Sequence, residues 1–71
     1  MAIVPPVKPD HVYQMRDGTK RLVVRIGQGA VTYLPEEDGL FRPGHEQEAQ
    51  HQKFGAEAVA DLGEVDPARL F

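Results

Sequence analysis

The stretch HVYQMRDGTKRLVVRIGQGAVTYL, residues 11–34, decides how this chain folds. Asp17-Gly18 is a favoured pair for a two-residue hairpin turn, and apolar and β-branched residues flank it on both sides. A second reversal lies at Gly27-Gln28-Gly29. With the first turn at Asp17-Gly18, Tyr13 pairs with Leu22 and Val12 with Val23. With the second at Gln28-Gly29, Val24 pairs with Tyr33 and Val23 with Leu34. Side chains alternate along a strand, so each pairing sorts residues onto two faces. One face collects Tyr13, Met15, Leu22, Val24, Ile26, Val31 and Tyr33. The other collects Val12, Gln14, Arg16, Arg21, Val23, Arg25, Thr32 and Leu34. The two registers agree on these faces, and together they predict a three-stranded antiparallel meander over roughly 11–16, 20–26 and 30–34.

Upstream, residues 1–9 hold three of the six prolines and read as a stiff, extended arm. Pro6-Val7-Lys8-Pro9 also fits the PxxP pattern, which here serves as a lead-in to the first strand. Downstream, Pro35-Glu36-Glu37-Asp38-Gly39 is an acidic loop, and Leu40-Phe41 is a candidate for a short fourth strand. From His45 the glutamate- and alanine-rich composition favours helix. Phe54, Ala58, Leu62 and Val65 fall on one helical face. Alternation at Ala56, Ala58, Ala60 and Leu62 keeps a strand open as the alternative. Asp66-Pro67 has the form of an N-cap and an N1 proline for one last turn. The expected organisation is an arm over 1–9 and one small domain over 10–71, with a β-meander at 10–44 and a helical region at 45–71.

Seventy-one residues suffice for one domain that buries only about 60% of the surface of its unfolded chain. The chain has no cysteine, serine or asparagine, which removes thiol and serine nucleophiles, thiolate metal sites and N-glycosylation acceptors. No apolar run approaches the roughly 20 residues of a spanning helix, and the N-terminal residues lack the form of an export signal. A cytoplasmic protein with no membrane partner is expected. The net charge of -3 hides an asymmetry. Residues 1–34 carry five cations against two anions, whereas residues 35–71 carry three against nine.

That asymmetry directs attention to surfaces rather than catalysis. Val12, Val23 and Leu34 would form an apolar row across three strands, framed by Arg16, Arg21 and Arg25: apolar area for affinity and guanidinium groups for orientation. Glu46, Glu57, Asp61 and Glu64, with Gln50, would line one side of the helix as a second, acidic surface. Nucleic acid is the alternative partner for the arginines, opposed by the acidic balance and by Tyr13 and Tyr33 both facing the core. His45, Glu48 and His51 are the nearest approach to a metal set, but no HExxH motif supports them and no metal or other cofactor is expected. No glycine-rich phosphate loop is present either, so the chain is expected not to be an enzyme.

Residues 12–39, VYQMRDGTKRLVVRIGQGAVTYLPEEDG, resemble the strand–turn–strand runs of SH3-like small β-barrels, a kind of run that recurs in short uncharacterised phage and prophage proteins. The resemblance implies a five-strand barrel used as a binding platform, although helical composition after Leu34 replaces the last two strands. The sequence reading is thus an α+β domain. It comprises a three- to four-stranded antiparallel meander, with an SH3-like, partly open barrel as its limiting form, and a C-terminal helix. Its expected role is non-catalytic: a small regulator or inhibitor of bacterial or phage origin that engages a larger protein, or a structural subunit of an assembly.

Overall fold

Two reversals build the centre of the sheet, and they differ in kind. Gln28 and Gly29 both take positive φ, 49° and 76°, and close a two-residue turn with Gly27 opposite Ala30. At the other reversal only Gly18 is left-handed, with φ 90°. The Met15 N–H donates to the Thr19 carbonyl at 2.8 Å and the Gly18 N–H to the Met15 carbonyl at 2.9 Å. The loop therefore holds three residues, Arg16 to Gly18. The Asp17 carboxylate accepts bonds from the Thr19 N–H at 3.0 Å and hydroxyl at 2.6 Å, which fixes that shape.

The computed structural model describes residues 7–70. Three strands follow from the reversals: β1, His11–Met15; β2, Lys20–Gly27; and β3, Ala30–Pro35. The three-residue loop moves the β1–β2 register by one from the expected pairing, so that Val12 faces Leu22 and Tyr13 faces Arg21. On β3 the expected pairs Ile26–Val31 and Arg25–Thr32 are present. An irregularity between Val23 and Arg25 then shifts the register, and Val23 faces Tyr33 while Leu22 faces Leu34.

The predicted faces are corrected accordingly. Tyr13, Met15, Val23, Val31 and Tyr33 form one buried cluster, with Ile26 packed against it, and Val12, Leu22 and Leu34 belong to another, with Val24 against it. Leu22 and Val24 have left the first face, and Val23 has joined it. Each face of the sheet carries its own core.

The segment expected as a C-terminal helical region, residues 45–71, instead forms two strands with one short helix between them. Gln47–Gln50 forms β4, His51–Glu57 a single short helix α1, and Ala58–Glu64 the last strand β5. Pro67–Arg69 makes a 3-10 turn capped by the Asp66 carboxylate, which accepts from the Ala68 N–H at 3.0 Å. The sheet is antiparallel throughout, in the order β4-β3-β2-β1-β5, and is not closed into a barrel. Leu40 and Phe41 contribute only isolated bridges, to Glu37 and Leu70 respectively, rather than a strand. Helical composition is overridden because β1 and β3 each present an edge that pairing satisfies, whereas seven residues of α1 suffice to bury Phe54.

α1 covers the first cluster. Phe54 meets Tyr13 edge to face at 5.9 Å and lies 5.6 Å from Tyr33. The helix is tied at both ends to the reversals: the His51 N–H donates to the Gly29 carbonyl, and the Glu57 carbonyl accepts the Arg16 N–H. Phe41 and Val65 cover the second cluster. At the start of the described chain Val7 packs against the first cluster, and the Lys8 N–H donates to the Tyr13 hydroxyl at 2.7 Å. The rest of the expected proline-rich arm, residues 1–6, and the terminal Phe71 lie outside the described residues.

Candidate binding surface

The row of Val12, Val23 and Leu34 does not exist as a surface. Its true central member is Leu22, and the row Val12–Leu22–Leu34 lies beneath Phe41. Val23 is fully buried on the opposite face against the aromatic cluster. The arginines separate as well. Arg21 lies half-buried with its guanidinium 4.6 Å from the centre of the Tyr33 ring, and Arg16 donates to the Ala56 carbonyl at 3.2 Å. Both therefore turn toward the helix side of the sheet, while exposed Arg25 lines a separate hollow with Gln28 and Glu48.

Between the sheet and α1 runs a groove of about 440 Å3, with Tyr33 and Phe54 among its walls. Arg21, Lys53, Glu48 and Glu57 all line it, so its charge is mixed. The Tyr33 hydroxyl donates to Gln47 at 3.2 Å. A smaller recess of about 270 Å3 on the other face is bounded by Val12, Phe41, Leu62 and Val65, with Lys20, Glu36, Glu64, Asp66 and Arg69 around them.

The acidic residues expected along a helix, and Gln50 with them, are distributed over four places. Glu46 precedes β4 and accepts the Gly44 N–H; Gln50 ends β4; Glu57 ends α1; and Asp61 and Glu64 stand on β5. Asp61 accepts from His11 at 2.9 Å across the β1–β5 pair, and this bond, together with one from the Gly63 N–H, holds its carboxyl below the ordinary aspartate range. Asp17 is lowered in the same sense by its two bonds from Thr19. Burial pushes the Tyr13 hydroxyl up, against the bond from Lys8, and the nearby Asp61 charge adds to the rise. His45 is engaged with Glu37 at 2.8 Å rather than with Glu48 and His51. Among the described residues no three histidine, aspartate or glutamate side chains are placed to share a metal ion.

No family model matches the chain, and the searches of curated proteins and of solved structures found no match either. No helix among the described residues is long and apolar enough to cross a membrane.

The surface that the sequence reading missed is on β5. Val59 is 53% exposed and Leu62 47%, and Leu70 joins them as the third large exposed apolar residue of the described chain. Placing Leu62 on a buried helical stripe concealed this. The weak alternation over residues 56–62 was the signal that a strand edge stood there.

Proposed function

We propose that this protein is a non-catalytic binding module that engages a larger protein partner, in the manner of a small regulator or inhibitor. The observation that carries the reading is the apolar exposure on β5. A chain this small hides Tyr13, Met15, Leu22, Val23, Leu34, Phe41 and Phe54 almost completely, yet leaves Val59 and Leu62 half in water at one edge of its sheet. Apolar area left uncovered at a sheet edge is surface that a protein partner would bury. The contact surface moves from the predicted arginine-framed row to this edge, and Arg21 and Arg16 flank the helix side instead.

The order β4-β3-β2-β1-β5, with α1 between β4 and β5, supports an SH3-like architecture in open form. It supplies the two strands that the resemblance implied and the composition denied. Such a sheet offers a rigid platform with two exposed edges. The separation of Arg25 from Arg16 and Arg21 counts against nucleic acid, which needs contiguous positive charge to hold successive phosphates.

The test compares affinity capture from a bacterial lysate by the wild-type chain, by Val59→Asp/Leu62→Asp and by a triple charge reversal at Arg16, Arg21 and Arg25. Proteins retained by the wild type and the arginine variant but lost with the β5 variant support the reading. Unchanged retention by the β5 variant overturns it. Thermal melts of each variant confirm that the fold is intact, and Val59→Thr/Leu62→Thr serves if the aspartates unfold it.

A further inference from the structure

The two edges of the sheet are unequal. β4 is four residues long and reads Gln47-Glu48-Ala49-Gln50, polar and short, as edges that must stay unpaired generally are. β5 is seven residues long; its pairing with β1 shifts register twice, but it contains no lysine, arginine or proline to repel a further strand. Among the described residues its inner side pairs with β1 and its outer side pairs with nothing. Within its own stretch the charge has one sign: Glu57, Asp61, Glu64 and Asp66 fall within residues 57–66, and no lysine or arginine does. His11 and Lys8 offset Asp61 from the β1 side, Arg16 donates to the Ala56 carbonyl beside Glu57, and Lys20 and Arg69 border the recess that Leu62 lines, so the anions of β5 itself are the charges along its open edge.

Resting on the reading as a protein-binding module, we propose that β5 receives an extended, basic segment of the partner as a sixth strand. Backbone groups of the segment pair with the free edge of β5. Its alternate side chains divide between the two faces. Lysines or arginines meet the acidic flank, and apolar residues lie against Val59 and Leu62 and reach the recess walled by Val12, Phe41 and Val65. A second copy of this chain fits less well, because β5 against β5 would set the same four anions against themselves.

The experiment titrates the 15N-labelled full chain with an eight-residue peptide of alternating lysine and valine, and in parallel with its glutamate–valine counterpart. A third peptide repeats the lysine sequence with alternate backbone nitrogens methylated. Strand addition predicts that the lysine peptide shifts and protects β5 amides. The glutamate and methylated peptides should bind at least tenfold more weakly, and Asp61→Asn/Glu64→Gln should weaken the lysine peptide severalfold. Equal binding by the glutamate or methylated peptide overturns the proposal. So do shifts centred away from β5, and outer-edge amides of β5 already protected in the free chain. Concentration-dependent dimerisation abolished by Val59→Asp/Leu62→Asp assigns the edge to a second copy and also overturns it. If partner capture depends on Val59 and Leu62 while no peptide binds, strand addition fails and the binding-module reading stands.

Discussion

The rings of Tyr13 and Phe54 meet edge to face, their centroids 5.9 Å apart and their planes at 86°. Tyr13 comes from the first strand and Phe54 from the only α-helix among the described residues, so this contact closes one face of the sheet. Both residues are at most 1% exposed. Removing the Phe54 ring leaves a void between two tyrosines that the short helix cannot collapse to fill. Phe54→Ala is expected to cost about 3–5 kcal/mol, a large share of the stability of a domain this size, and Phe54→Leu much less. Urea unfolding followed by tyrosine fluorescence measures both.

The two reversals make opposite predictions. Gly18 sits at φ 90°, and a Cβ there would touch nothing, so Gly18→Ala costs backbone strain alone, about 1 kcal/mol. Gly27→Ala, at ordinary φ and in equally open space, is the neutral control. Gln28 holds φ 49° without being glycine. Gln28→Asn places the residue best suited to that position before Gly29 and should stabilise the chain by about 0.5–1 kcal/mol. Denaturation midpoints of the three variants decide the matter.

Acid should loosen the β1–β5 pair. Asp61 is lowered in the folded chain by its bond from His11, and Asp17 by its bonds from Thr19. A carboxyl whose folded value lies below its unfolded value stabilises the fold above the unfolded value, and loses that contribution as pH falls through the folded one. The window therefore lies below about pH 4. Both groups are exposed, so the effect is small and weakens with salt. Melting temperatures from pH 6 to pH 2.5 should fall less steeply for Asp61→Asn than for the wild type.

Arg21 covers the Tyr33 ring at 4.6 Å, on the half-buried edge of the aromatic cluster. Its stem shields that ring from water while its charge faces the ring's negative surface. Arg21→Ala should cost about 1 kcal/mol and Arg21→Lys less, read from urea midpoints. A loss of partner capture by Arg21→Ala without a loss at Val59 and Leu62 would instead place the contact in the helix-side groove.

What could be read from the letters was local. The positions of β1, β2 and β3, the Gln28-Gly29 turn, the burial of both tyrosines and the Asp66-Pro67 cap each depend on a few neighbouring residues. Turn chemistry and alternation encode them directly. The candidate surface failed for the same reason that the faces did: one loop closed with three residues instead of two, and one irregularity near Val24 put Val23 on the first face in place of Leu22 and Val24.

Neither event has a local signature. Asp17-Gly18 suits both loop lengths, and the irregularity in β2 is repaid only when apolar residues find cover on both sides of the sheet. The last strands depend on distance still more. β5 pairs with a strand some 50 residues away, as the His11–Asp61 bond records. Intrinsic preference favoured helix over residues 45–71; the open edges of β1 and β3 drew Gln47–Gln50 and Ala58–Glu64 into strand and left a single short helix between them. Local chemistry thus set where the chain turns, and long-range pairing decided which side chains meet, which are covered, and which edge remains for a partner.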